Sequence, residues 1–200
     1  LDGTGAGILA SHGARSAPQV AYRSPGATCI SVNEQAAHGI PGPRILQPGD
    51  VVNVDVSAEL DSYFADTGGT RVVPPSSPLK DRLLRATKLA LLEALDEARA
   101  GHEINRIGKA VQRVAKAHRF KIIKNLAGHG VGRSLHEDPE AIVGYYEPRD
   151  TRRLHEGMVI AIEPFLSTKS TTVTEADDGW TLVGAAGKLS AQFGHSVVVT

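Results

Sequence analysis

Cysteine is almost absent from this sequence, with Cys29 the only one among 200 residues. A single cysteine excludes an internal disulfide bond and a zinc site built from several thiolates. It also fits a reducing compartment. We therefore expect a cytoplasmic protein that folds without covalent cross-links.

The sequence has no excess of charge and no long apolar run. Its 22 lysines and arginines balance 22 aspartates and glutamates, so the chain offers no basic field for nucleic acid and no polybasic patch for a membrane. Apolar runs such as residues 158–162 are far shorter than the roughly 20 residues of a membrane-spanning helix. We expect a small or peptidic partner and no direct contact with nucleic acid or membrane.

The chain also lacks a starting methionine. Leu1 is the first residue, and no charged segment followed by an apolar one comes after it. We expect that a preceding segment has been removed. The length suits a single domain over residues 1–200, with enough chain for a proper core.

The most informative segment that is present is a strand pair within residues 51–73. In its first half, valines alternate with polar residues that include Asp55, which is typical of a strand with one polar face. A polar break follows at residues 59–62. Folding the chain back about Leu60 and Asp61 places Asp55 opposite Asp66.

Two carboxylates directly opposite in an antiparallel pair have Cβ atoms about 5 Å apart, so their repulsion must be relieved. One acid can hold a proton at a strongly raised pKa. Cations can instead lie between the two acids. A different loop register that separates them is the third alternative, and the hairpin alone does not decide.

The remaining periodicity predicts an α/β fold in which helices cover a sheet. Pro78 follows a capping serine and opens an amphipathic helix that stops near Gly101, and a second helix is predicted over residues 103–118. A helix is also expected within residues 1–19. Strands are predicted at 29–33, 121–124, 159–162, 180–183 and 191–200.

Two turns of similar sequence indicate two related halves. One turn lies at residues 47–51 and the other at 154–158. Each is followed by an apolar strand that carries one acid, Asp55 in the first and Glu163 in the second. Glu163 ends a buried strand, so it emerges into solvent or needs a partner. His129, between two glycines, is either an ordinary loop histidine or a ligand. Three acids with one neutral imidazole would favour Mn(II), Fe(II), Co(II) or zinc.

A series of short motifs identifies a family resemblance. They are CISVNE at 29–34, HGIP at 38–41, NVDV at 53–56, ADT at 65–67, GHGVGR at 128–133, HEDP at 136–139, IEP at 162–164 and DGW at 178–180. In order and spacing, over nearly all of the chain, they closely resemble type I methionine aminopeptidases. The resemblance implies the pita-bread α/β fold, with two pseudo-symmetric halves and a curved antiparallel sheet around a dinuclear metal centre. It also implies that the family's first helix is missing here.

The resemblance assigns a role to each matching residue. The expected metal ligands are Asp55, Asp66, His129 and Glu163, with Asp66 bridging two divalent ions (Co, Mn, Fe or Zn). A water whose pKa the cations lower would attack the carbonyl after the first residue, and Glu163 would take its proton. The residues expected to contact substrate are His38 and His136, which steady the tetrahedral centre, and Tyr22, Cys29 and Trp180, which wall the methionine pocket. Ordinary loop histidines and plain core packing are the alternatives for these five residues.

The chain departs from the family at Gly194, where the family has a glutamate that bridges both metals. Gln192 lies on the same side but roughly 7 Å along the strand, and it is a weaker, neutral ligand. We expect weaker metal binding at one of the two sites and slow or absent turnover. Ser24 and Leu135 replace aromatic residues of the family, which indicates an altered pocket.

Three interpretations follow. The first is a monomeric, metal-dependent aminopeptidase that removes the initiator methionine from nascent chains, with activity reduced by Gly194. The second is a catalytically silent relative that binds a peptide or a protein partner. The third is a prolidase or aminopeptidase P relative, which fits less well because the segments 29–38 and 178–180 match the methionine enzymes.

Overall fold

The computed structural model describes all residues from Leu1 to Thr200. Its four helices are α1 (Asp2–Ser11), α2 (Ala17–Tyr22), α3 (Pro78–Leu95) and α4 (Asn105–His118). Its strands are β1 (Arg15–Ser16), β2 (Cys29–Val32), β3 (Gln35–Ala37), β4 (Val51–Leu60), β5 (Tyr63–Val72), β6 (Lys121–Ile122), β7 (Ala127–Gly130), β8 (Glu137–Val143), β9 (Val159–Ile162), β10 (Phe165–Ser167), β11 (Thr174–Glu175), β12 (Leu182–Val183), β13 (Ser190–Gln192) and β14 (Gly194–Val198).

An eight-stranded sheet forms the centre of the fold. Its order is β1-β4-β5-β14-β9-β7-β8, with β2 also paired to β4, and all of its pairs are antiparallel. Two three-stranded sheets, β13-β10-β6 and β11-β12-β3, lie beside it. The sheet order brings β5, β7 and the end of β9 close together around β14, although they are distant in sequence.

Helices α3 and α4 supply most of the core. The predicted cap of α3 is confirmed, since Ser77 Oγ accepts the Lys80 N–H at 3.5 Å and Pro78 is the first helical residue. The apolar faces of the two helices pack together and against β9 and β10, with Leu83 and Ile107 almost completely buried. None of the helices combines the length and the apolar character needed to cross a membrane.

The two related halves suggested by the sequence share one turn geometry. Gly49 N donates to Val73 O at 2.8 Å, and Gly157 N donates to Val199 O at 2.9 Å. Both glycines have left-handed φ angles, +90° and +85°, which explains why glycine occupies each turn. In each half the acid lies six residues after this glycine, so Asp55 and Glu163 occupy equivalent positions.

The β4–β5 hairpin turns later than predicted. Strand β4 continues through the polar segment to Leu60, which pairs with Tyr63. The turn consists of Asp61 and Ser62, whose φ angles are +52° and +66°. A two-residue turn in which both residues have left-handed φ angles has a twist that matches the twist of the flanking strands. The predicted turn about Leu60 and Asp61 was therefore wrong, and every cross-strand pair shifts with it.

Other element boundaries differ from the predictions. The segment 1–19 contains α1 and the start of a second helix, separated by β1, and α4 begins at Asn105 instead of residue 103. The predicted last strand is interrupted at Phe193, so that β13 pairs with β10 while β14 pairs with β5 and β9. This interruption separates Gln192 from Gly194.

Candidate metal centre

Strands β4 and β5 place two carboxylates on one face of the hairpin. Asp55 pairs with Gly68, and Asp66 pairs with Ser57. The predicted direct opposition of the two acids was wrong, and they are diagonal neighbours. Diagonal positions on the same face are still within reach of each other's side chains, so the electrostatic argument for a cation remains.

His129 approaches these acids from β7, where it pairs with Ala161 of β9. A Cβ added at Gly128 would lie 2.2 Å from the Ala161 carbonyl oxygen, so glycine allows the close approach of the two strands. The ring Nδ1 lies 2.8 Å from the Gly130 carbonyl oxygen. A hydrogen bond donated from Nδ1 leaves Nε2 as the atom that faces the acids.

Glu163 lies between β9 and β10 and completes a group of three candidate ligands. His129 Nε2 lies 3.3 Å from Glu163 Oε1 and 3.5 Å from Asp66 Oδ2. One ligand atom from each residue lies within 4.8 Å of the other two. The three side chains are at most 9% exposed. Of the four predicted ligands, these three converge, and Asp55 borders them beside Asp66.

The donor set fits a divalent cation. Oδ1 of Asp55 and Oδ1 of Asp66 are buried and have no hydrogen-bond partner. Buried carboxylate oxygens without partners are costly, and a cation is a partner that satisfies them. Carboxylate oxygens with one imidazole nitrogen suit Mn(II), Fe(II), Co(II) or zinc.

Proton affinities in the centre reflect the same concentration of negative charge. Burial raises the pKa of Asp55 well above its ordinary value, and the charges of Asp66 and Glu163 raise it further. Burial also raises the pKa of Glu163, although its hydrogen bond with His129 opposes this. Burial lowers the pKa of His129, but hydrogen bonds to Asp66 and Glu163 outweigh burial and raise the pKa to about 10.

Metal-free protein is expected to lose stability as the pH rises above neutrality. The folded-state pKa of His129, about 10, exceeds its ordinary value of 6.5, so its contribution is complete below pH 6.5 and is lost toward pH 10. Asp55 and Glu163 also have raised folded-state pKa values, so their contributions likewise fall as the pH rises above their ordinary pKa values of 3.8 and 4.5. We expect the free energy of unfolding in EDTA to fall by about 1–3 kcal/mol from pH 7 to pH 9, as measured by urea denaturation.

The matched control for this pH dependence is His129→Gln, which should flatten the slope over the same interval. A wild-type free energy of unfolding that rises between pH 7 and pH 9 would contradict the charge distribution described above.

A cavity of about 310 Å³ opens onto the candidate ligands. The five residues predicted to contact substrate all line it, namely Tyr22, Cys29, His38, His136 and Trp180. The structure thus brings together every residue that was predicted for the site. Their individual roles stay predictions.

Two histidine rings and a tyrosine form a contact chain along this cavity. The rings of His129 and His136 have centroids 4.0 Å apart. Tyr22 Oη lies 2.6 Å from His136 Nδ1. Burial lowers the pKa of His136 to about 4, with the neighbouring charge of His129 as a further cause. If the neutral His136 accepts a hydrogen bond from the Tyr22 hydroxyl at Nδ1, its own proton lies on Nε2.

Cys29 forms part of the cavity wall beside Asp55, its cross-strand partner. Burial raises the pKa of its thiol to about 12, and the charge of Asp55 adds to the shift. The thiol therefore stays protonated and acts as a small apolar surface, not as a nucleophile.

Several lining residues were not predicted from the sequence. They are Pro18, Ser57, Asn125, Leu126, Ala127, Phe165 and Leu182. Asn125 shapes the wall indirectly, because its side chain donates to Val173 O at 2.8 Å and accepts from Val173 N at 3.0 Å. Only the tertiary fold brings these residues to the cavity, and no local sequence pattern marks them.

Position 194 provides no ligand. Gly194 pairs with Gly68 across β14 and β5, so neither strand has a side chain at this level. The carboxylate that the family resemblance would place here is absent, and the acids at the centre are Asp55, Asp66 and Glu163.

Known proteins share both the sequence and the fold. The model of metallopeptidase family M24 matches residues 6–200. Methionine aminopeptidase 2 of Bacillus subtilis is 45% identical over 201 aligned residues, which cover 100% of this chain and 81% of that protein.

Two solved structures extend the comparison. Methionine aminopeptidase of Rickettsia prowazekii has a TM-score of 0.94 at 32% identity, covering 100% of this chain and 80% of the other. That of Thermotoga maritima has a TM-score of 0.91 at 33% identity, covering 97% and 78%. These matches confirm the pita-bread α/β fold that the resemblance implies. The chain therefore belongs to metallopeptidase family M24.

Proposed function

We propose that this protein is a metal-dependent aminopeptidase that removes N-terminal methionine from peptides and nascent chains. One observation carries the proposal: Asp66, His129 and Glu163 converge within 4.8 Å at the inner end of a cavity of about 310 Å³. Relatives at 32–45% identity named methionine aminopeptidase support the same substrate.

The ligand residues would hold the cation and handle the proton. Asp66 and Glu163 contribute carboxylate oxygens, and His129 contributes Nε2 because its Nδ1 is engaged by Gly130. A divalent cation bound there would polarise the scissile carbonyl and lower the pKa of an attacking water. The Glu163 carboxylate lies at the same centre and would accept a proton from the attacking water.

Residues lining the cavity orient the substrate. His136, with Nδ1 bound to the Tyr22 hydroxyl, presents its Nε2–H as a donor to the oxygen that gains negative charge during attack. His38 lies at the exposed rim and binds the peptide that extends from the first residue. The apolar side chains of Leu126, Phe165 and Trp180 receive the methionine side chain.

We further propose that one cation binds tightly and that the second family site is weak. Asp66, His129 and Glu163 provide three ligands for the first. A second cation would have Asp55 and a shared oxygen of Asp66, because Gly194 supplies none. Two ligands are fewer than a stable divalent site requires.

A second candidate function follows from the same glycine. If one cation does not support turnover, the protein is a catalytically silent relative that binds peptides in the cavity. Retention of three convergent ligands and of His38 and His136 favours the enzyme. The prolidase alternative is less well supported, because the relatives described above, at 32–45% identity, are methionine aminopeptidases.

The test measures metal content and cleavage on the same purified protein. We expect about one Mn(II) or Co(II) per chain, cleavage of a Met-Ala peptide, complete loss of cleavage in EDTA, and recovery when either ion is restored. An Ala-Pro peptide is the control substrate and should stay intact. Protein that binds the cation without cleaving would support the silent relative, and cleavage confined to Ala-Pro would support the prolidase.

A further inference from the structure

Gln192 is a polar side chain at the end of β13 with no exposed surface. From its position in the sequence, Gln192 is expected to be a weaker, neutral ligand than the missing glutamate. In the structure it contacts a candidate ligand instead, because its Nε2 donates to Glu163 Oε2 at 3.1 Å. The other oxygen of Glu163, Oε1, faces His129.

The orientation of the Gln192 amide is fixed by the neighbouring strand. Asn53 Nδ2 donates to Gln192 Oε1 at 2.9 Å, so the NH₂ end is directed to Glu163. Thr70 holds the backbone, donating to Gln192 O at 2.7 Å and accepting from Gln192 N at 3.0 Å. Asn53 and Thr70 are cross-strand partners in β4 and β5, which makes the support rigid.

Two facing glycines provide the space for this amide. A Cβ at Gly68 would lie 2.3 Å from Gln192 Oε1, and a Cβ at Gly194 would lie 2.9 Å from its Nε2. The Gln192 side chain therefore lies over the Gly68–Gly194 pair. A Cβ at position 194 would also lie 2.9 Å from Glu163 Cγ, so a side chain there requires Gln192 or Glu163 to shift.

We propose that Gln192 is a positioning residue that holds Glu163 in the orientation in which Oε1 faces His129 and the candidate cation site. A hydrogen bond to a ligating carboxylate fixes its rotamer and favours its charged form. The amide does this without adding charge, so the cluster keeps its full attraction for a cation. The inference rests on the proposed cation site.

The test compares Mn(II) binding in variants by isothermal titration calorimetry. Gln192→Met removes the donor and keeps the chain length, and we expect a Kd for Mn(II) about tenfold to a hundredfold weaker. Asn53→Ala removes the hydrogen bond that orients the Gln192 amide but keeps the amide itself. This variant should weaken Mn(II) binding less than Gln192→Met does. The visible absorption spectrum of Co(II)-loaded protein should change in both variants, because it reports the ligand geometry.

Thr87→Val is the control for a purely structural effect. Thr87 is buried in α3, where its Oγ1 donates to Leu83 O at 2.8 Å, and it lines no part of the cavity. This variant should lower the unfolding temperature while leaving the Mn(II) Kd and the Co(II) spectrum unchanged.

Each outcome decides the inference. An unchanged Kd in folded Gln192→Met would overturn it and leave the proposed function in place. Wild-type protein that binds no Mn(II) would overturn the proposed function and this inference together. If circular dichroism shows that Gln192→Met does not fold, Asn53→Ala decides, since an unchanged Kd there would equally refute the positioning role.

Discussion

Asp66→Asn is expected to abolish tight cation binding and to reduce cleavage of a Met-Ala peptide by about a thousandfold or more. The asparagine keeps the shape of the side chain but removes the negative charge and one of three convergent ligands. Asp66 also lies nearest to Asp55, so its loss affects any second cation as well. Metal content by mass spectrometry and peptide cleavage by chromatography provide the two measurements.

The control for this variant is Asp177→Asn. Asp177 is exposed in the loop before Trp180 and makes no contact with the centre, so metal content and cleavage should equal those of the wild type. Tight Mn(II) binding by Asp66→Asn would show that the cation binds at a site that does not include Asp66.

Gly194→Glu is expected to raise the cation content from one to two per chain and to accelerate Met-Ala cleavage roughly tenfold to a hundredfold. The added carboxylate would enter beside Glu163, whose Cγ lies 2.9 Å from the position of the new Cβ. Gln192 must shift to admit it, because its Nε2 is equally close. Titration with Mn(II) measures the stoichiometry, and the initial rate measures the gain.

Gly194→Gln separates the added charge from the added bulk. Glutamine displaces the Gln192 amide as glutamate does, but it supplies no carboxylate, so the cation content should stay at one or fall. If the wild type already binds two cations tightly and cleaves as fast as Gly194→Glu, the account of Gly194 is wrong.

Local pattern predicted most of the elements that carry the site. The alternation of valines in β4, the cap at Ser77 and the apolar spacing in α3 and α4 follow from short-range physical chemistry, and the structure has each of them. The matching turns before Asp55 and Glu163 also indicated the two halves. A charge at the end of a buried strand indicated only that Glu163 emerges into solvent or needs a partner, and the family resemblance supplied the expected set of metal ligands.

Long-range geometry could not be read from the sequence. The register of the β4–β5 hairpin depends on the left-handed φ angles of Asp61 and Ser62. Non-glycine residues seldom adopt such angles, so the sequence did not predict them. The break at Phe193 lies where the segment passes from its pairing with β10 to its pairing with β5 and β9. For the same reason the contact of Gln192 with Glu163 could not be predicted, since it joins residues 29 positions apart.

The short turn at Asp61–Ser62 makes the spacing between Asp55 and Asp66 intolerant of length changes. Side chains in a strand alternate between the two faces, so one inserted or deleted residue would send Asp66 to the opposite side of the sheet. Replacement of the turn residues by asparagine or glycine preserves the count and the backbone geometry. The two turn residues can therefore be replaced by others that adopt left-handed φ angles. An insertion or deletion there would instead separate Asp66 from the other candidate ligands.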